Sequence, residues 1–315
     1  RGLGAGARWG DGVALDDDGL FIGQLGSVTH CRRNRDGADA WGERQIIHTG
    51  LPSSPILALD GDLLAIGSPQ ELNLVTGTLG AVYIRERNAG GSEAWGQTGY
   101  AGATDITFFP SFIGYGNAIA LQGDLLVVGV KADSFDGIGN GSVHIHRRHE
   151  GGINQWGRIK RLDIPDDAPY VANTNRAFGK SIALDGDWLA VGSITKVSAT
   201  ALIYGAVYLY NRNAGGADNW GLIRRLDYDQ EVIEDGFGET TDGNFSDYLA
   251  LQGDILAVSA EHEGVSGAFR RGAVHVYQRD AGGPNRWGRV ARLVPPVETP
   301  ENIFFGQSLA LDGDG

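Results

Sequence analysis

One cysteine, Cys31, in 315 residues excludes an internal disulfide and any cysteine-based zinc cluster. Long apolar runs are missing too. The longest, residues 125–130, is one strand long, against the roughly 20 residues of a membrane helix, so no membrane span is expected. No charged-then-apolar leader follows Arg1. Positive charge is scarce: 26 Lys+Arg against 39 Asp+Glu leaves a net charge of -13. Phosphate recognition needs local positive charge, so nucleic acid is not an expected partner. No segment longer than about eight residues carries helical periodicity. Gly-x-Ser-x-Gly, His-Glu-x-x-His and phosphate-loop motifs are lacking, which points away from an enzyme and leaves no catalytic or cofactor-binding residue to name.

What the chain has in quantity is glycine. Its 50 glycines are about 16% of the residues, yet Pro plus Gly (60 of 315) stays below the low-complexity range. Three phrases recur in register. Leu57-Ala58-Leu59-Asp60-Gly61-Asp62 has close copies starting at residues 13, 119, 182, 249 and 309. Gly-small-Val followed by alternating aromatic and aliphatic residues starts at Gly26, Gly80, Gly141, Gly205 and Gly272. Trp-Gly recurs at Trp41, Trp95, Trp156, Trp220 and Trp287. The period is about 62 residues, with a short first unit.

Each unit reads as four strands. In the fourth, residues 180–184 alternate, and Asp185-Gly186-Asp187 turns the chain into 188–191. A third strand covers 206–210, and Trp220 opens a fourth. Val207-Tyr208-Leu209-Tyr210 is apolar or aromatic on both faces, which implies a sheet covered on both sides. Radially stacked four-stranded sheets meet that requirement. The expected fold is therefore an all-β β-propeller of ~62-residue blades, five complete repeats plus the start of a sixth. Residues 1–315 read as one domain, with blades at about 9–50, 51–105, 106–165, 166–230 and 231–298 and a partial sixth at 299–315. Because the sixth unit stops at Gly315, the chain is expected to be a fragment of a longer protein; the alternatives are five-bladed closure and strand pairing between molecules.

Phe178-Gly179-Lys180-Ser181-Ile182-Ala183-Leu184-Asp185-Gly186-Asp187 and the start at Phe305-Gly306 resemble the FG-GAP repeat family of integrin α chains and bacterial secreted proteins. Tyr115-Gly116 and Phe245-Ser246 are degraded copies. The resemblance implies one blade per repeat, commonly seven blades, and a secreted or cell-surface binding or adhesive role. The calcium loop frequent in integrin-type blades is not carried over. Six to eight oxygens cannot be wrapped around an ion by turns this short, Asp16-Asp17-Asp18 included.

Among individual residues, the turn aspartates (Asp18, Asp62, Asp124, Asp187, Asp254, Asp314) are read as caps on backbone N–H groups. The arginine eight before each tryptophan (Arg33, Arg87, Arg148, Arg212, Arg279) is read as lying over the indole of its own hairpin, so Trp95, Trp156, Trp220 and Trp287 count as structural rather than as a sugar or anion platform. His144 and His146 share a strand face and are read as aromatic packing rather than metal ligands; His149 reads as a solvated turn residue and Cys31 as buried. Asp133 and Asp136 are the best local pair for calcium, and no metal or other cofactor is committed. Variable segments 69–79, 131–140, 194–204 and 261–271, and those before new units at 165–177 and 228–244, are where specificity would reside. The leading reading is a non-enzymatic extracellular binding or adhesion propeller for a protein or glycan of the cell surface or matrix. Its alternatives are a structural subunit self-associating through open strand edges and the accessory propeller of a secreted hydrolase.

Overall fold

In the computed structural model, residues 12–16, 18–34, 36–72, 79–102, 114–131, 140–165, 176–196, 203–228, 245–265, 269–296 and 303–312 are described. Among them there are strands and turns and no helix. The chain divides into two compact units, the first of residues 1–137 and 143–161, the second of 138–142 and 162–315.

In the first unit, β1 (Val13–Leu15), β2 (Gly19–Gln24), β3 (Ser27–Arg33) and β4 (Trp41–His48) form an antiparallel meander. The next, β5 (Ile56–Asp60), β6 (Leu63–Leu72), β7 (Leu79–Glu86) and β8 (Gly96–Gly102), meets a third, β9 (Tyr115–Gln122), β10 (Leu125–Val130), β11 (Ser142–Arg148) and β12 (Trp156–Asp163), through one parallel pairing of Gly80 with Tyr115. The second unit holds β13 (Ile182–Asp185), β14 (Trp188–Lys196), β15 (Ile203–Asn211) and β16 (Gly221–Asp227). It also holds β17 (Phe245–Gln252), β18 (Ile255–Ala260), β21 (Ala273–Gln278) and β22 (Gly288–Leu293), with β19 (Gly264–Val265) and β20 (Phe269–Arg270) as a small side ribbon. Each complete sequence repeat is thus one four-stranded antiparallel sheet. Residues 303–312, where the sixth unit predicts a strand through Ala310, contain none.

The first hairpin of each later repeat turns on two residues, but not the two the Asp-Gly pattern suggests. Asp185 pairs with Trp188, so the loop is Gly186-Asp187, with Gly186 at φ 56. Glycine at the first loop position with positive φ belongs to the II′ family, whose twist suits a hairpin. Interior strands are covered on both faces: all six residues of β10 are buried, as are Val207, Tyr208, Leu209 and Tyr210 of β15.

The recurring glycine and aromatic phrases meet in space. Gly80 lies against the backbone of Tyr115, with an added Cβ falling 2.8 Å from the Tyr115 Cα. In the second unit, Gly141 lies in the same way against Phe178, Gly205 against Phe245 and Gly272 against Phe305. The third-strand glycine of one repeat is therefore the seat for the aromatic residue that opens the next. Tyr115, Phe178 and Phe245 are fully buried there. Only a residue without a side chain admits so close a backbone approach.

Candidate functional site

The turn aspartates Asp18, Asp62, Asp124, Asp187 and Asp254 do not cap their own turns, and Asp314 lies outside the described residues. Their carbonyl oxygens accept the repeat arginine's backbone N–H, from Arg33 to Asp18 (3.0 Å) through Arg279 to Asp254 (2.8 Å). Their carboxylates reach across to the same region: Asp62 to Arg87 Nε (2.8 Å), Asp124 to Arg147 (3.8 Å), Asp187 to Asn213 (3.1 Å) and Asp254 to Arg279. Backbone capping falls instead to the residue two earlier, and across repeats: Gly123 N–H donates to Asp60 (2.5 Å) and Gly253 N–H to Asp185 (2.7 Å). Among the described residues, the first repeat caps itself through Asp16, which accepts from the N–H of Asp18 and Gly19.

Three of the repeat tryptophans join neighbouring sheets, whereas Trp41 of the first repeat is 43% exposed. Trp95 packs with Phe21 and Val28 of the preceding repeat, Trp156 with Leu63 and Ala65, and Trp287 with Trp188 and Val207. Trp95, Trp220 and Trp287 are at most 1% exposed, too buried to stack a sugar. Each holds a left-handed backbone (φ 47 to 53) and each donates its N–H to the carbonyl of the repeat arginine, Trp95 to Arg87, Trp220 to Arg212 and Trp287 to Arg279. For so bulky a residue that conformation is strained, and the buried ring holds it in place. Arg87 lies over its own Trp95 (5.3 Å), worth ~0.5–1 kcal/mol. Arg279 lies over Trp188 rather than Trp287 (5.5 Å), whereas Arg33, Arg148 and Arg212 bond Asp39, Asn154 and Asp218 in their own loops. His149 takes part in its loop: Asn154 N–H donates to its Nδ1 (3.1 Å), the place Asn34 and Asn88 fill for Asp39 and Glu93. Asp133 and Asp136 lie outside the described residues. Among the described residues no group of three His, Cys, Asp or Glu could hold a metal ion.

His144 and His146 are buried beside Tyr115. His146 Nδ1 donates to the Trp156 carbonyl (3.0 Å), which leaves Nε2 to accept from the Tyr115 hydroxyl (2.6 Å). Cys31 is half-buried rather than buried, whereas Tyr210 and Tyr277 at the same register are buried: the small thiol fills less of the space that a phenol ring fills there.

Two buried polar clusters escape the repeat pattern. In the second unit Lys180, its side chain 9% exposed, pairs with Asp247 and donates to the Phe245 carbonyl (3.3 Å). Burial pushes the Lys180 ammonium down from its ordinary range, and Asp247 opposes that shift. Nearby, Glu263 accepts from His275 Nε2 (2.8 Å) and Arg292 Nε (2.6 Å) and is 3% exposed. Burial raises its carboxyl, but the His275 hydrogen bond and charge, with Arg292, outweigh that and hold it below its ordinary value.

Glu71 holds the matching place in the second repeat. It stands eight residues after Leu63, as Glu263 stands eight after Ile255. The Tyr83 hydroxyl donates to Glu71 Oε1 (2.5 Å), and burial first, then this bond, raises the Tyr83 phenol. Both residues line a cavity of about 190 Å³ in the first unit, between the end of the first sheet and β6–β7, with Leu51, Ile66, Arg85 and Gln97. The Arg85 guanidinium donates to the Trp95 carbonyl (2.9 Å), and burial lowers its pKa.

His30 is a buried switch outside the pattern. It is 3% exposed and stacked on Phe21 (4.3 Å, 1° between planes). Burial above all lowers its pKa from 6.5 to about 4, with Glu93 opposing. The unfolded chain therefore takes up the proton first. Stability carried by neutral His30 is complete above pH 6.5 and is lost as pH falls toward about 4. The loss is at most about 3 kcal/mol. Denaturant unfolding at pH 7 and pH 4.5 should show a smaller drop for His30→Gln than for the unaltered chain; equal drops would refute the assignment.

No protein-family model matches the chain, and no curated protein does. Among solved structures it is similar to KlHsv2 with loop 6CD replaced by a Gly-Ser linker, at 10% identity and TM-score 0.47, over 92% of this chain and 72% of that one. It is also similar to Sqt1 from Chaetomium thermophilum, at 14% identity and TM-score 0.47, over 88% of this chain and 58% of that one. At these values the likeness carries no weight for function.

Proposed function

We propose that the chain is a β-propeller of FG-GAP type acting as a non-enzymatic, extracellular binding or adhesion module for a protein or glycan. The observation that carries this reading is where the recurring residues go. Gly80, Gly141, Gly205 and Gly272 seat the next repeat's aromatic residue, Trp95, Trp156 and Trp287 plug neighbouring sheets, and Asp60 and Asp185 tie consecutive turns together. The repeated signature is thus committed to joining blades. That leaves the connections that differ between repeats to set specificity.

Surface plasmon resonance over immobilised cell-surface glycans and matrix proteins, with a parallel turnover assay on glycoside, ester and peptide substrates, tests the reading. Saturable binding without turnover is expected, weakened about tenfold or more when residues 132–139 are replaced by a Gly-Ser linker. Turnover of any substrate, or binding indifferent to each variable segment, contradicts it.

A further inference from the structure

We propose that the cavity between the first sheet and β6–β7 binds a small zwitterion of amino-acid size, its ammonium on Glu71 and its carboxylate on Arg85. Glu71 belongs to the variable segment 69–79, but the proposal does not rest on recognition of a protein or glycan there.

The second repeat differs from its own relatives at both positions. In the fifth repeat Glu263 is satisfied on both oxygens, by His275 and by Arg292. The residue that pairs with His275 across the last hairpin is Arg292; the residue that pairs with Tyr83 in the same place is Tyr100. Glu71 thus keeps the aromatic donor but lacks the cation. Its Oε1 takes the Tyr83 hydroxyl, while its Oε2 is buried without a partner. An ammonium group from outside would occupy the place of the Arg292 guanidinium.

Arg85 presents the opposite case. Its register position holds Cys31, His146, Tyr210 and Tyr277 in the other repeats, so a fixed cation at this point is local to the second. No carboxylate pairs with it among the described residues. Its only hydrogen bond goes to the Trp95 carbonyl, and its Nε is buried without a partner. Arg85 is half-buried, and its guanidinium is well shaped for a carboxylate.

The cavity supplies the rest. Its volume of about 190 Å³ equals roughly six waters, room for a molecule of amino-acid size and too little for a sugar chain. Buried Leu51 and Ile66 give it an apolar wall, and Gln97 adds a neutral donor and acceptor.

Isothermal titration of the whole chain with glycine, β-alanine and γ-aminobutyrate, against acetate, methylammonium and glycerol, tests the proposal. At least one zwitterion should bind saturably, one per chain, about tenfold or more tighter than any of the three controls. Arg85→Gln and Glu71→Gln should each weaken it by about tenfold or more, since each removes a charge-assisted hydrogen bond. Nuclear magnetic resonance of the unaltered chain guards against a variant that fails to fold, because the Arg85 Nε–H signal should move with the same titration. No saturable binding up to roughly 50 mM, glycerol binding as well as the zwitterions, or an unmoved Arg85 signal would each overturn it.

Discussion

Glu263→Gln should cost about 3–5 kcal/mol of stability at pH 7, because it removes the charge that a buried cation faces and strands one of the two donors that a carboxylate now satisfies. Glu263 is 3% exposed and accepts from His275 and Arg292, both with heads turned inward to it. An amide keeps the shape but loses the charge, and its NH2 faces N–H donors whichever way it is turned. The loss should fade in acid. The carboxyl titrates below its ordinary 4.5 in the folded chain, so its contribution is complete above that value and disappears as pH falls through the lower, folded one. Denaturant unfolding of both proteins at pH 7 and at about pH 3 reads this directly. A wide gap that narrows in acid is expected. A variant as stable as the parent at pH 7 would show that the cluster holds nothing together.

The strands and their hairpins were legible because period-2 alternation, turn residues and the Trp-Gly phrase recur in register. The partners of the turn aspartates were not. Asp60 and Asp185 sit in a phrase that can cap its own turn or a neighbour's, and only the spacing of adjacent sheets, absent from local sequence, selects Gly123 and Gly253. The arginine's contact with tryptophan was legible for Arg87, yet Arg279 turns to Trp188 because the neighbouring repeat brings that ring within reach. Cys31 shares its register with Tyr210 and Tyr277, which are buried, so the repeat pattern points to burial that the smaller thiol does not reach. Glu71 and Glu263 lie in a segment whose length varies between repeats, which hides their common register. Counting eight residues from Leu63 and from Ile255 would have found both. Arg85 had a signal as well, a charged residue in a position otherwise filled by Cys, His and Tyr.

The repeated glycines seat the next repeat, and two of them separate that role from backbone conformation. Gly26 and Gly80 occupy the same register, and both have positive φ, 76 and 102. No Phe-Gly or Tyr-Gly phrase opens the second repeat, and an added Cβ at Gly26 would meet nothing within 4 Å. At Gly80 it would drive into the backbone of Tyr115, where no flexible side chain can yield. Alanine at Gly26 therefore carries only the left-handed backbone penalty, about 1–2 kcal/mol. Alanine at Gly80 carries that penalty plus displacement of fully buried Tyr115, and with it the Tyr115–His146 hydrogen bond. Overpacking of this kind adds about 1–3 kcal/mol, enough to make Gly80→Ala the more damaging of the two. The most direct measurement is the unfolding free energy of Gly26→Ala and Gly80→Ala side by side. A loss at Gly80 larger by about 2 kcal/mol or more is what joined repeats predict, and equal losses would contradict the claim that these glycines bind one repeat to the next.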